Sequence, residues 1–306
     1  MINFKAITAS GGLIKSALSS FTFPAGEKHI KREESRELEP TEIAIFQPEP
    51  STIHEDLFQL AMWAQYALTE KSKTVLVMPY VPGARADRGT PFGARTYAQF
   101  IGEMWIDQVI IYDPHSEVIV EELKLWSYDN GASDKATITV VRPHEILNTR
   151  NSKIVMPNKY DGIIAPDKGA HDRANGVAEA FGIPLYTAEK SRDFETGKLS
   201  GFSIDLPDTG HFLIVDDICD GGGTFLGLAA VVPEAVKLDL YVSHGIFSKN
   251  ALLNLSLKFN RIFTTNSYAP NRLLNDNGDF GDPDADDVFR RIEVIRHLLA
   301  HIDLTK

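Results

Sequence analysis

The chain has 306 residues, 43% of them hydrophobic and 24% charged, with a formal net charge of −11. That length predicts about two domains, the composition is that of an ordinary globular protein, and the acidic balance argues against a nucleic-acid or anionic-membrane partner. The single cysteine, Cys219, excludes an internal disulfide and a multi-cysteine metal site. Asp217 and Asp220 beside it are expected to raise its pKa, which makes it a small core-facing spacer rather than a nucleophile. No run approaches the roughly 18 apolar residues of a membrane span. The opening Met-Ile-Asn-Phe-Lys has no signal-peptide layout, so the expected location is the cytoplasm.

In chain order, strand-like apolar runs alternate with helical ones. Ile43–Gln47 reads as a strand. Ile53–Thr69 reads as a helix with Leu57, Leu60, Ala61, Ala64 and Leu68 on one face. Thr74–Pro79 is the next strand, Thr96–Trp105 a helix, and Gln108–Tyr112 and Ile138–Val141 two more strands. Arg142-Pro143 marks a domain junction, after which the pattern restarts. Strand Gly162–Ala165, helix Asp172–Phe181, strands Leu185–Thr187 and Phe212–Val215, helix Phe225–Val232 and strand Leu238–Ser243 follow. Asn260–Thr264 reads as a last edge strand, and Arg290–His301 as a closing helix. The fold class is α/β, with two doubly wound, mostly parallel-sheet domains over 1–141 and 142–285 and a C-terminal helical segment, 286–306. The polar, turn-rich stretch between Glu189 and Gly210 is long for a connection and reads as a mobile functional loop.

The most informative segment is Phe212-Leu-Ile-Val-Asp-Asp-Ile-Cys-Asp-Gly-Gly-Gly-Thr224. A buried strand ends in the adjacent carboxylates Asp216 and Asp217. Asp220, Gly221, Gly222, Gly223 and Thr224 then lead into a helix. Glycines let backbone N–H groups turn inward, and a helix N-terminus favours negative charge, so the turn is an anion cradle. Carboxylates beside such a cradle suit a sugar phosphate, with hydroxyls on Asp216 and Asp217 and phosphate on the Gly-Thr loop. The dinucleotide fingerprint G-x-G-x-x-G does not fit.

This segment resembles the phosphoribosyl-diphosphate (PRPP) binding motif, which phosphoribosyltransferases share with the ribose-phosphate pyrophosphokinase (PRPP synthase) family. Five further segments resemble the synthase family in order and spacing. They are Phe23-Pro-Ala-Gly-Glu27, Pro79-Tyr-Val-Pro-Gly-Ala-Arg-Ala-Asp-Arg88, Tyr112-Asp-Pro-His-Ser-Glu117, Ala165-Pro-Asp-Lys-Gly-Ala-His-Asp-Arg-Ala174 and Lys190-Ser-Arg192; Ser243–Ser248 extends the match.

The resemblance implies transfer of the β,γ-diphosphoryl group of ATP to the 1-hydroxyl of ribose 5-phosphate, giving PRPP and AMP for nucleotide or NAD biosynthesis. It implies Lys190 and Arg192 as catalytic donors closing over the transferring group, and Asp216, Asp217 and Asp220 to Thr224 as the ribose 5-phosphate site. It also implies Phe23, Glu27, Arg85 and His115 at ATP, His115 and Asp167 at a Mg²⁺ ion, helix 286–306 packed on the first domain, and a homo-oligomer, a dimer or hexamer. Phosphoryl transfer asks for alignment and charge neutralisation, and these residue types supply both. Histidine is an unusual Mg²⁺ ligand, so a water-bridged contact is one reading of His115. The chain departs from the family pattern at Ala25, where the motif has an acid, at Ala86, where it has Gln, and at Gly221, where it has Thr. The alternatives are a type I phosphoribosyltransferase that consumes PRPP, and a non-catalytic regulatory paralogue, in which Lys190-Ser-Arg192 or the phosphate loop would be damaged.

Overall fold

The computed structural model describes residues 2–47, 49–127, 136–147, 159–192, 199–268 and 288–304. The chain divides into two compact units, Met1–Val141 with Ser267–Ala269 and Ile295–Lys306, and Arg142–Asn266 with Pro270–Val294.

The first unit runs β1 (Ile2–Ile7), β2 (Leu13–Lys15), β3 (Leu18–Thr22), β4 (Lys28–Arg32), β5 (Thr41–Phe46), α1 (Ile53–Thr69), β6 (Lys73–Met78), α2 (Gly93–Gly102), β7 (Gln108–Tyr112), α3 (Glu117–Trp126) and β8 (Thr137–Val141). Its sheet has the order β2-β1-β5-β6-β7-β8. Strands β5 to β8 are parallel, while β1 runs antiparallel to β5 and to β2. Strands β5 and β7 are buried from end to end, and β6 along all but its first residue, as the continuous apolar runs of a sheet covered on both faces require. Strands β3 and β4 pair apart from this sheet as a hairpin, and β4 packs on α1. Helix α1 has the expected limits, but its buried stripe is Leu57, Leu60, Trp63, Ala64 and Ala67. Leu68, at the rim of that stripe in the last turn, is 47% exposed.

The second unit contains α4 (Pro143–Leu147), β9 (Gly162–Ala165), a 3-10 turn at Lys168–Ala170, α5 (His171–Phe181), β10 (Leu185–Thr187), β11 (Glu189–Arg192), β12 (Leu199–Ser203), β13 (Gly210–Cys219), α6 (Gly223–Ala229), β14 (Val236–Gly245), α7 (Ala251–Ser256), β15 (Arg261–Thr265) and β16 (Phe289–Ile292). Six strands in the order β10-β9-β13-β14-β15-β16 form an all-parallel sheet around Ile164, Phe212, Ile214, Leu240 and Val242.

Three expectations change here. The stretch after Glu189 is not simply a loop: β11 and β12 pair as an antiparallel hairpin, and residues 193–198 lie outside the described residues. Strand β15 is not an edge, because β16 pairs beyond it. The helix expected over 290–301 is replaced by β16 and a shorter helix α8 (Ile295–Leu299). Phe289 and Ile292, three apart and so on opposite faces of the strand, are both buried. The tail after α8 is tied to the first unit. Gln108 Nε2 donates to the His301 carbonyl at 2.9 Å, and the Asp303 amide donates to Gln108 Oε1 at 3.0 Å.

Candidate active site

The carboxyl ends of β9 and β13 assemble one cluster of predicted residues. Strand β13 does not stop at Val215 but runs on to Cys219, so Asp216 and Asp217 sit within it, held by pairing with β14. The chain then turns through Asp220 and Gly221 to Gly222, the residue before α6, whose φ of +75° is a left-handed conformation that glycine adopts without strain. A Cβ built at Gly221 or Gly223 would meet nothing within 4 Å, so the loop is open on that side. The Asp220 carbonyl accepts from the amide of Ser248, three residues past β14, at 3.1 Å, which ties the start of the turn to the segment after that strand.

Asp167, just past β9, caps the 3-10 turn: its Oδ1 accepts from the amides of Gly169 at 2.8 Å and Ala170 at 3.1 Å. Its Oδ2 accepts from Lys190 Nζ, which also lies 3.5 Å from Thr224 Oγ1. Burial works to raise the Asp167 carboxyl, but the Lys190 ammonium and the two amides outweigh it and hold the group below the usual carboxylate range. Lys190 is aimed by packing. It pairs across the hairpin with Phe202, and its ammonium stands 5.8 Å from the centre of that ring. Phe202 in turn lies against Gly227 of α6, where a Cβ would come within 2.6 Å of the ring. Phe202 and Gly227 were not singled out from sequence, because only the folded approach of hairpin and helix gives them a role. The backbone of Arg192 ends β11; its side chain lies outside the described residues.

Asp216 and Asp217 are taken largely out of water, their side chains 15% and 7% exposed. Burial and the adjacent Asp217 charge push the Asp216 carboxyl well above the ordinary value. Arg173 Nη1 of α5 stands 3.8 Å from Asp216 Oδ1 and 3.9 Å from Asp217 Oδ1. Cys219 is fully buried, and its thiol is pushed up to about 12 by burial first and then by Asp216 and Asp220, so the neighbouring charge comes from Asp216 rather than from Asp217.

In the first unit, Arg85 follows β6 and His115 follows β7, so both sit beyond the carboxyl edge of adjacent parallel strands. That is where ligands bind in open α/β sheets. Arg85 is exposed on a turn closed by the Ala86 amide donating to the Gly83 carbonyl at 2.9 Å. Gly83 has a φ of +78°, and Tyr97 fills the space a Cβ would need. Arg95 is committed elsewhere, in a two-pronged contact with Glu122 at 3.1 Å. Phe23 and Glu27 belong to the β3–β4 turn. The Phe23 ring packs edge-on to Phe21 and His29, and with Glu27, His54, Phe58 and Met62 it lines an open hollow of about 790 Å³.

Among the described residues no group of three or more His, Cys, Asp or Glu side chains is arranged to hold a metal. Asp167 Oδ1 is filled by two amides, and Oδ2, beside Lys190, keeps one acceptor position. That fits a magnesium-bound water, since Mg²⁺ keeps several of its waters and leans on substrate phosphates.

An all-parallel sheet with an acid-rich strand end and a Gly-Thr turn is the architecture of a phosphoribosyl transferase domain, and the family model of that description matches residues 143–244. The similarity extends well beyond this segment. A ribose-phosphate pyrophosphokinase from Pyrococcus abyssi is 30% identical over 85% of this chain and 87% of its own length. One from Thermococcus kodakarensis is 28% identical over 80% and 83%. The fold matches a phosphoribosylpyrophosphate synthetase from Mycobacterium smegmatis with a TM-score of 0.71, covering 94% of this chain and 89% of that one at 18% identity. The chain belongs to the ribose-phosphate pyrophosphokinase family.

Proposed function

We propose that this enzyme transfers the β,γ-diphosphoryl group of ATP to O1 of ribose 5-phosphate, forming PRPP and releasing AMP. The observation that carries this is the convergence of Lys190, Asp167 and Thr224 beside the open Gly221–Thr224 turn. A cation is fixed there at the rim of a phosphate cradle. In this reading the sugar phosphate is held by backbone N–H groups of the turn, and its ring hydroxyls donate to Asp216 and Asp217. The 1-hydroxyl oxygen attacks the β-phosphorus and its proton is released to water, the bond from that phosphorus to the bridging oxygen of AMP breaks, and Lys190 and Arg192 neutralise charge on the transferring group. Mg²⁺, carried with the nucleotide and met by Asp167 and His115 through its waters, would add to that neutralisation. Arg85 and His115, on the carboxyl edge of the first sheet, serve the nucleotide, and Phe23 and Glu27 line its base pocket.

The family's activity calls for residues outside 143–244, and identity to the relatives runs across both units, which supports synthesis of PRPP over its consumption. Lys190 and the complete turn support a catalytic chain over a regulatory one. Among the described residues no helix is long and apolar enough to cross a membrane. A cytoplasmic enzyme and a homo-oligomer complete the proposal. The apolar groups left exposed around the β3–β4 turn, Phe23 at 44% and Phe58 at 59%, support the second point. AMP formation from ATP that depends on both ribose 5-phosphate and Mg²⁺ is the expected result. ATP left intact with both present would overturn the reading.

A further inference from the structure

Asp216 and Asp217 are neighbours in sequence, both removed from water, and both needed as acceptors if they are to receive sugar hydroxyls. A protonated carboxyl donates at one oxygen and loses acceptor capacity there, and two adjacent buried carboxylates resist joint ionisation. The described residues around them include few groups that resolve this conflict. Strand β13 itself contributes Cys219, whose thiol burial pushes up to about 12, and the turn contributes another acid, Asp220. The adjacent β14 brings His244, buried, level with Ile218. Helix α5, packed on β13, brings Arg173, whose side chain is 9% exposed and whose Nη1 lies between the two carboxylates at 3.8 and 3.9 Å.

We infer that Arg173 is a positioning residue for sugar recognition: one guanidinium spans Asp216 and Asp217, offsets their mutual repulsion and orients the pair for two hydroxyls of ribose 5-phosphate. This rests on the proposed function, because it assigns the carboxylates to that sugar. Arg173 Nη1 stands at ion-pair distance from an oxygen of each carboxylate, beyond hydrogen-bond length. The pull of Arg173 on Asp216 opposes burial and the Asp217 charge.

The test is calorimetric titration of ribose 5-phosphate into the whole protein at pH 7 and pH 9, for the wild type, Arg173→Met and Arg173→Lys. Arg173→Met is expected to bind roughly 10-fold more weakly at pH 7, about one pKa unit's worth. At pH 9, where ionisation depends less on a neighbouring cation, that deficit should narrow. Arg173→Lys, which keeps the charge, should stay within about 3-fold of the wild type at both pH values. A deficit equal at pH 7 and pH 9, or none at either, would overturn the inference, the first by making Arg173 a packing residue or a direct ligand. Should Arg173→Met not fold, Arg173→Gln is read in the same way. A wild type that fails to bind ribose 5-phosphate would instead remove the proposed function itself.

Discussion

Asp56 in the first unit and Asp216 in the second are both carboxylates taken out of water, and the two units treat them in opposite ways. Asp56, on α1, is 1% exposed. It receives Lys28 Nζ at 2.6 Å and Thr52 Oγ1 at 2.9 Å. Burial works to raise it, yet the Lys28 hydrogen bond and the other donors hold it below the usual range. Asp216 has the Asp217 charge beside it and the Arg173 guanidinium only at 3.8 Å, and it is pushed well above that range. The first arrangement ties the β3–β4 hairpin to α1 and contributes stability. The second leaves a buried acid raised although Asp216 Oδ1 accepts the Asp217 amide at 2.8 Å, a cost a fold tolerates at a ligand site.

The largest expected effect separates turnover from stability altogether. Lys190→Ala should lower kcat by about 10²–10³, the usual loss for one donor to a transition-state oxyanion, with KM for ribose 5-phosphate little changed. Its resting contact with Asp167 is partly exposed, at 21% and 30%, so the melting temperature should move little. Stopped-time assays of AMP release together with a thermal melt check both parts. Near-normal kcat would dismiss Lys190 as the catalytic lysine.

Next in size is the stabilising member of the pair. Asp56→Asn should cost about 1–3 kcal/mol, because it leaves the Lys28 ammonium with only the longer Glu55 contact at 3.9 Å and swaps an acceptor-only group for one carrying donors. Denaturant titration measures it. An unchanged midpoint would show that the Lys28–Asp56 pair contributes little to holding hairpin and helix together.

Asp216→Asn should do the reverse. With its folded pKa raised, the folded state binds more protons than the unfolded one between the ordinary value of 3.8 and the raised value. The stability contributed by Asp216 therefore falls as pH rises through that window. Asparagine carries no charge, so this variant should melt higher than wild type at pH 7, with the gain fading toward about pH 4. It should also bind ribose 5-phosphate more weakly. A lower melting temperature at pH 7 would mean that the carboxylate is paid for by contacts beyond those described above.

The Asp56–Asp216 contrast was not legible in the sequence, but parts of the fold and of the site were, for a physical reason. Helix α1 and strands β7, β9 and β10 have the limits read from periodicity, because long amphipathic stretches and uninterrupted apolar runs declare themselves locally. The Asp216–Thr224 turn was legible for the same reason: its chemistry lies in nine consecutive residues. The β3–β4 hairpin was not. Lys28-His-Ile-Lys-Arg32 has little strand character of its own and is held by tertiary contacts, Lys28 with Asp56 and the Gln59 amide donating to the His29 carbonyl at 2.7 Å. Strand β16 was misread because four residues cannot distinguish period 2 from 3.6. Phe202 and Gly227 gain their roles only when separate segments meet.

The smallest expected effect concerns the nucleotide side, where the chain is least like its family. Ala25 and Ala86 stand where the family motifs carry an acid and a glutamine, and both are exposed. Ala86 sits in the turn that carries Arg85, its carbonyl accepting from the Ala94 amide at 3.0 Å. A Cβ at Gly93 would come within 2.8 Å of the Ala86 methyl group, so the turn closes tightly around a small side chain. A methyl group reads no base edge. Discrimination between bases depends on polar groups that go unpaired with the wrong one, and removing such groups relaxes it. ATP should therefore be preferred over GTP by roughly 10-fold in kcat/KM, about 1.4 kcal/mol. Ala86→Gln should sharpen the preference if the turn admits the longer side chain. A wild-type preference above roughly 10³-fold, about 4 kcal/mol, would show that backbone groups read the base. The first unit would then resemble the second, with recognition built into the main chain and the side chains free to vary.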